Sequence, residues 1–277
     1  MNIKEFIKNA LVEDLGDGDH TSLSTIPHGN MGIAELLVKQ DGILAGVDVA
    51  VQVFKAVDPD TQIEIFIKDG EKIAPGDIVF RVSGKAVSLL SAERLALNFM
   101  QRMSGIATYT NYLTGLLNGL HTRLLDTRKT TPNFRYFEKE AVRIGGGLNH
   151  RMGLYDMIMI KDNHVDFAGG IANAITACRK YLQEKGKDLK IEIEVRNLDE
   201  VRQVLEHGGI DRIMLDNFNM ADMKTAVGMI AGKYETEASG GITEETLRPV
   251  AETGVDFISV GALTHQVKSL DLSLKAI

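Results

Sequence analysis

From Arg123 onward the chain repeats one rhythm: a short apolar run, an abrupt polar tip, then a helix. Six runs follow it, RLLDTRKT, DMIMIKDN, KIEIEV, RIMLDN, YETEASGG and DFISVG. Amphipathic patterns separate the later ones: IANAITACRKYLQEKG, LDEVRQVLEHGG, MADMKTAVGMIAG and TEETLRPVAETG. Strands alternating with helices imply a parallel sheet, because only a crossover returns the chain to the same end. Each helix runs into a glycine, as a left-handed cap would require. The six strands occupy about 145 residues, fewer than the ~250 typical of a full barrel. The pattern predicts an incomplete α/β barrel with fewer than eight strands, an open doubly wound sheet being the alternative.

The first hundred residues read differently. MNIKEFIKNALVEDL is an amphipathic helix, and the acidic DLGDGDHTS after it is expected to turn and cap, its acids being misplaced for a calcium loop. GIAELLVKQ, TQIEIFIK (Ile63, Ile65 and Ile67 on one face) and DIVFRVSG read as strands, separated by the turns DGEKIAPGD and VSGK. Asp48 is expected to cap a helix with an apolar face of Val51, Phe54 and Val57, and a long helix follows from about Ser88 to Gly119. The expected organisation is an N-terminal α/β sandwich over 1–112, the barrel over 113–265, and a segment 266–277 packing back on the first domain.

With 31 Lys and Arg against 38 Asp and Glu, the net charge of -7 attracts neither nucleic acid nor anionic lipid. Cys178 is the only cysteine, so no disulfide framework or cysteine zinc site exists. The N-terminal stretch lacks the apolar run of a signal peptide, and the uncharged stretch Met103 to Thr122 is too polar to span a bilayer. A cytoplasmic protein is expected.

In parallel α/β folds chemistry gathers beyond the C-terminal ends of the strands. The tips there are Thr127-Arg128-Lys129, Lys161-Asp162-Asn163-His164, Glu192 and Glu194, Asp216-Asn217, Ser239-Gly240-Gly241 and Ser259-Val260-Gly261, with His150 and Arg151 from the GGGLNHRMG loop. Between His121 and His164 eight Lys and Arg face five acids, so that stretch is +3 and the remainder -10. A positive pocket in an acidic chain suits a small, multiply anionic substrate, and arginine pairs well with carboxylate or phosphate. The glycine tips suit phosphate, and Glu194 and Asp216 offer the hard oxygens Mg²⁺ prefers. Together these point to transfer of a phosphorylated group.

Each feature also has a structural reading. Ser-Gly-Gly after a strand can be a plain turn, Asp216 can merely cap a helix, and one of Glu192 and Glu194 can be an ion-pair partner. Arg128 and Lys129 can sit on a solvated loop, and His121 and His164 read as structural. GGGLNHRMG does not open a helix after a strand and so matches no dinucleotide fingerprint.

Nearly end to end, the chain resembles the quinolinate phosphoribosyltransferases, also known as carboxylating nicotinate-nucleotide pyrophosphorylases. The resemblance rests on ALVEDLGDGDHTS, ERLALNFMQRMSGIAT, LLDTRKTTPNFRYFEKEAVRIGGGLNHRMGLYDMIMIKDNH, IEIEVRNLDE, IMLDN, ASGGIT and TGVDFISVGALTH. It implies an N-terminal α/β sandwich with an incomplete barrel. It also implies a homodimer whose sites lie between the barrel of one subunit and the N-terminal domain of the other. The implied reaction joins quinolinate and phosphoribosyl pyrophosphate, with Mg²⁺, into nicotinate mononucleotide, pyrophosphate and CO₂, a step of de novo NAD synthesis.

By the same resemblance Arg102 reaches the partner's site and binds a quinolinate carboxylate, and Thr127, Arg128, His150 and Arg151 belong to the substrate site, the last three holding the dicarboxylate. Lys129 and Lys161 lie near phosphoribosyl pyrophosphate, Glu194 and Asp216 face the ribose and the metal, and Ser239, Gly240, Gly241, Ser259, Val260 and Gly261 form the phosphate turns. Two departures stand out: Asn133-Phe134 replaces the usual Gly-Leu, and Arg196 replaces a frequent acid, the latter read as surface variation.

Three other readings compete. Lys161 at a strand end would suit a Schiff-base lyase or aldolase. A related protein of molybdate gene clusters shares the fold. DGEKIAPGDIVFRVSGKAV has the rhythm of a biotinyl or lipoyl carrier, with Lys85 as attachment point, though its acceptor context is missing.

Overall fold

The computed structural model describes residues 2–277. Two compact units emerge: one through Asn111 that also takes in Thr131–Gly146 and Gln266–Ile277, and one of Tyr112–Thr130 with Gly147–His265.

The first unit opens with α1 (Ile3–Leu15) and α2 (His20–Thr25). The acidic turn between them does cap: Gly16 ends α1 at φ 52, and Asp19 accepts from the Ser22 N–H at 3.0 Å. Then come β1 (Met31–Val38), β2 (Gly42–Ile43), α3 (Val47–Val57), β3 (Gln62–Ile65), β4 (Lys72–Ile73), β5 (Ile78–Lys85) and the 31-residue α4 (Ala86–Leu116). An antiparallel sheet runs β12-β1-β5-β3, where β12 (Leu272–Ala276) is the C-terminal strand and Leu36 sits opposite Leu274.

Three local expectations need correction. α3 starts from Gly46 and not from a cap at Asp48, because Asp69 already accepts the Val47 N–H at 2.9 Å. Its buried face is Val47, Val49, Ala50, Val53 and Phe54. VSGK is no turn: it completes β5 and feeds directly into α4, so Lys85 is a strand end paired with Asp58 at 3.4 Å, unlike the hairpin tip a carrier lysine needs.

The Asn133-Phe134 departure resolves physically. Asn133 takes φ 63, the left-handed conformation that suits glycine and that asparagine tolerates better than most residues. Phe134 joins Phe6, Phe99 and Phe137 in an aromatic cluster with centroids 4.8–6.1 Å apart. Phe137 lies on α5 (Arg135–Ile144), which packs in this unit: a Cβ at Gly145 would stand 2.5 Å from the Ala107 carbonyl on α4.

The second unit carries the six strands as read: β6 (Arg123–Leu125), β7 (Ile158–Ile160), β8 (Ile191–Val195), β9 (Arg212–Asp216), β10 (Glu235–Ser239) and β11 (Phe257–Ser259). They form one parallel sheet in the order β6-β11-β10-β9-β8-β7. The order steps monotonically and sets the first strand beside the last, as in a barrel. A doubly wound sheet would reverse direction part-way. The barrel is incomplete: among the described residues β6 and β7 do not pair, and only Leu148 adds a bridge to Leu125.

The helices are α6 (Asp162–Ala168), α7 (Ile171–Lys185), α8 (Leu198–His207), α9 (Met220–Ile230), α10 (Glu244–Ala251) and α11 (Ala262–His265). Gly186 and Gly208 follow α7 and α8 at positive φ. The expectation of a glycine cap on every helix fails at α9, which ends on Ala231 at φ 48, and at α10, which ends on Glu252 in a right-handed conformation.

β8 is buried on both faces, yet it alternates Ile191, Ile193 and Val195 with Glu192 and Glu194. A barrel interior is normally filled by branched aliphatic layers. Here one face of the sheet is aliphatic, and the other carries Glu192, Arg212 and Glu237.

Candidate active site at the strand tips

The expected tip residues lie together in pairs across neighbouring strands. Register aligns Asp216 with Ser239, and the Ser239 hydroxyl donates to Asp216 Oδ1 at 2.6 Å while Asn217 Nδ2 donates to Oδ2 at 2.6 Å. Gly240 at φ 91 is required here, because a Cβ would stand 2.2 Å from Asn217 Oδ1. Lys161, just past β7, places Nζ 2.7 Å from Glu194 Oε2 on β8. Its backbone N–H is accepted by His164 Nδ1 at 3.0 Å, the structural role read for that histidine. A salt-bridged lysine is not the isolated, apolar amine a Schiff base wants.

The tips of β6 and β11 also meet. The Lys129 stem passes Gly261, where a Cβ would come within 3.1 Å of Cδ. Thr127 Oγ1 accepts the Lys129 N–H at 3.0 Å, and Thr264 Oγ1 donates to the Lys129 carbonyl at 2.7 Å. Val260 is buried and donates its N–H to the Leu125 carbonyl at 3.0 Å, and Gly241 takes φ 59 in the neighbouring turn.

Arg128 and Arg151 are mutually repelling neighbours: burial and the Arg128 charge hold the Arg151 pKa below its usual value. Two guanidinium groups close enough to repel one another offer a site for an anion.

His150 is buried. Its N–H is held by the buried Asp126 carboxylate at 2.8 Å, and Asp126 also accepts from Asn149 Nδ2 at 2.6 Å. Its Nδ1 accepts the Arg151 N–H at 2.7 Å. Its Nε2 lies 3.0 Å from Glu192 and 3.4 Å from Glu237, both carboxylates having 0% exposure. Burial works against a charged ring, but the two facing carboxylates of Glu192 and Glu237 outweigh it, an upward pull to about 9. The Arg151 N–H opposes that pull, because a second proton would need the Nδ1 lone pair it occupies. We take the ring as singly protonated on Nε2.

Burial pushes the Glu192 carboxyl up to about 7, with the Glu237 charge adding to it. Arg212 sits beside them, donating to Glu237 at 3.1 Å and to Glu235 at 2.9 Å while stacking on Phe257 at 4.2 Å.

Glu237, Arg212 and Asp126 were not singled out from the sequence, and Glu192 was left between two roles. The available signal was alternation: charges at every second place in strands too apolar to face water. Ser259 lies close enough to Glu237 to help hold its carboxyl below the usual range, so it belongs to this buried network. Arg102 lies in the first unit, where Nε and NH2 reach the fully buried Glu138 at 3.2 and 2.8 Å and NH1 donates to the Val267 carbonyl at 3.0 Å. Arg196 bonds Glu200 and Asp166 on the surface. A cavity of about 630 Å³ lies against Ile191 and Asp211 at the opposite end of the strands and contains no tip residue.

Residues 106–275 match the family model described as quinolinate phosphoribosyl transferase, C-terminal domain, and residues 19–104 match that of the N-terminal domain. The chain belongs to the quinolinate phosphoribosyltransferase family. Among relatives of this family member, the Arabidopsis thaliana protein named nicotinate-nucleotide pyrophosphorylase [carboxylating], chloroplastic, is 47% identical, covering 99% of this chain and 82% of its own. The Bacillus subtilis protein named probable nicotinate-nucleotide pyrophosphorylase [carboxylating] is 41% identical over 99% and 93%. The crystal structure of NadC from Streptococcus pyogenes superposes with a TM-score of 0.94 at 38% identity, over 99% and 97% of the two chains. That of the Francisella tularensis nicotinate-nucleotide pyrophosphorylase gives 0.93 at 41%, over 99% and 96%. Among the described residues of this phosphoribosyltransferase family member, no helix is long and apolar enough to cross a membrane.

Proposed function

We propose that the protein transfers the phosphoribosyl group of phosphoribosyl pyrophosphate to quinolinate and releases CO₂ and pyrophosphate, making nicotinate mononucleotide for NAD synthesis. The observation that carries this reading is the cationic tip cluster: Arg128 set against Arg151, with Lys161 and Lys129 on flanking strands. The names of the relatives point the same way.

Arg128 and Arg151 clamp the two ring carboxylates, with His150 holding the Arg151 backbone, and turn the pyridine nitrogen toward the ribose, so that attack needs little reorganisation. The nitrogen lone pair forms the bond to C1 as the C1–O bond breaks, its electron pair leaving with pyrophosphate. Lys129 and Lys161 supply fixed positive charge to that leaving group. The ribosylated ring is cationic, so it accepts the electron pair left when the adjacent carboxylate departs as CO₂. The ring carbon then takes a proton from solvent.

Glu194 and Asp216 fit a magnesium ion of the kind that keeps its waters and rests on substrate phosphates: they are hard oxygen donors on adjacent strands, already engaged by Lys161, Ser239 and Asn217. Such an ion would neutralise charge on the pyrophosphate. We read the turns at 239–241 and 259–261 as the phosphate-facing loops.

A homodimer, with Arg102 reaching the partner's site, completes the reading. Large apolar side chains left exposed support it: Leu154 is 72% exposed, Tyr155 70% and Phe167 92%. The single unpaired Cys178 suits a cytoplasmic location.

The test is turnover with phosphoribosyl pyrophosphate and Mg²⁺, following nicotinate mononucleotide and CO₂, with nicotinate as comparison. Turnover of quinolinate alone is expected, lost with a chelator and restored by Mg²⁺. Silence with quinolinate in folded protein would overturn the substrate.

A further inference from the structure

We infer that Glu192 and Glu237 are positioning residues that fix the tautomer of His150, and through it the backbone turn that presents Arg151. This rests on the reading of Arg151 as a dicarboxylate-binding residue.

The Arg151 N–H, 2.7 Å from Nδ1, requires a lone pair there. The ring must then carry its proton on Nε2, and the two carboxylates face that nitrogen at 3.0 and 3.4 Å. Without them, the buried imidazole could move its proton to Nδ1 and expel the Arg151 N–H.

The surroundings hold this arrangement from each side. Arg212 on β9 neutralises Glu237 at 3.1 Å, Ser259 on β11 lies beside the same carboxylate, and Asp126 after β6 anchors the His150 backbone. The nitrogen and carboxylate oxygens lie within 4.8 Å of one another and could also cage a cation. A guanidinium already supplies the positive charge, so the geometry points to a proton.

Placed beneath the tips, the network reaches the ring-binding half of the site through Glu192 and His150, while Glu237 lies against Ser259 of a phosphate-facing turn. Gln at position 192 or 237 keeps the shape but offers an N–H donor as well as an acceptor, which releases the ring to take either tautomer.

The experiment uses protein labelled with ¹⁵N-histidine, the His150 signals being those lost in His150→Gln. At neutral pH the expected spectrum has Nε2 protonated and Nδ1 not. A doubly protonated ring, or an Nδ1–H ring, would overturn the proposal. In Glu192→Gln and Glu237→Gln the tautomer should become mixed, and in Glu192→Gln KM for quinolinate should rise about tenfold with KM for phosphoribosyl pyrophosphate staying within about twofold.

An equal rise in both constants, or an unchanged spectrum and KM, refutes positioning. If one variant fails to fold, the other and the unsubstituted spectrum still decide. If the unsubstituted protein does not turn over quinolinate at all, the substrate reading fails while the tautomer result stands.

Discussion

Arg102→Ala combines two losses that can be separated. The guanidinium holds Glu138 through two bonds, Nε at 3.2 Å and NH2 at 2.8 Å, and that carboxylate has 0% exposure while Arg102 itself is 24% exposed. Removing the arginine leaves a buried carboxylate supported by the Thr131 N–H at 3.0 Å and the Thr131 hydroxyl at 2.9 Å. Breaking a buried ion pair from one side costs about 3–5 kcal/mol. The partial exposure of Arg102 sets the expectation at the lower end, about 3 kcal/mol, or roughly 6–12 °C in Tm.

Replacing both partners, Arg102→Met with Glu138→Leu, removes the orphaned charge, and stability should return to within about 1 kcal/mol of the parent. Thermal melts report the fold, and calorimetric titration with quinolinate and then with phosphoribosyl pyrophosphate reports the site. If Arg102 touches the dicarboxylate, the double variant melts normally, binds phosphoribosyl pyrophosphate, and still fails to bind quinolinate. Recovery of quinolinate binding would refute that role and leave Arg102 as a strut for α5. An unchanged Tm in Arg102→Ala would refute the burial argument itself.

Other outcomes follow from single residues. Lys161→Met should lower turnover by roughly a hundredfold, the usual loss of one fixed electrostatic group, with circular dichroism unchanged; full activity would remove Lys161 from the leaving-group site. Phe137→Ala opens the aromatic cluster and should cost about 3–5 kcal/mol in urea unfolding; a loss below about 1 kcal/mol would mean the cluster collapses around the gap. Asp69 has its pKa raised chiefly by burial, so the folded state holds its proton more tightly than the unfolded state. That contribution to stability is complete below pH 3.8 and is lost as pH rises through the folded value. Asp69→Asn should therefore melt higher than the parent at pH 7 and gain nothing below pH 3.8; equal gains at both would sink the assignment.

The strand tips were legible because parallel strands end in loops, and polar residues packed against aliphatic runs mark those ends. The six-strand order was legible for the same reason. What the sequence hid is set by packing at a distance. α5 follows the first barrel strand in sequence, yet Phe134 and Phe137 draw it to Phe6 and Phe99, about 35 to 130 residues away along the chain. VSGK looked like a turn because glycine and serine dominate it, but β1 supplies cross-strand partners from Met31 to Ala34 that keep it extended. Glu192 kept two readings because its role depends on Glu237, on β10, and His150, on a loop before β7. No local pattern relates those three positions.

The last strand of the chain, β12, is hydrogen-bonded along β1 from Ala34 to Val38. During synthesis, β1 leaves the ribosome more than 230 residues before this neighbour exists. The parallel sheet can assemble in that interval, because all six of its strands precede His265. The N-terminal sheet waits with one edge open, a surface prone to pairing with other chains. A stop or bulky fusion just before Leu272 would thus be felt as misassembly of the first-made domain.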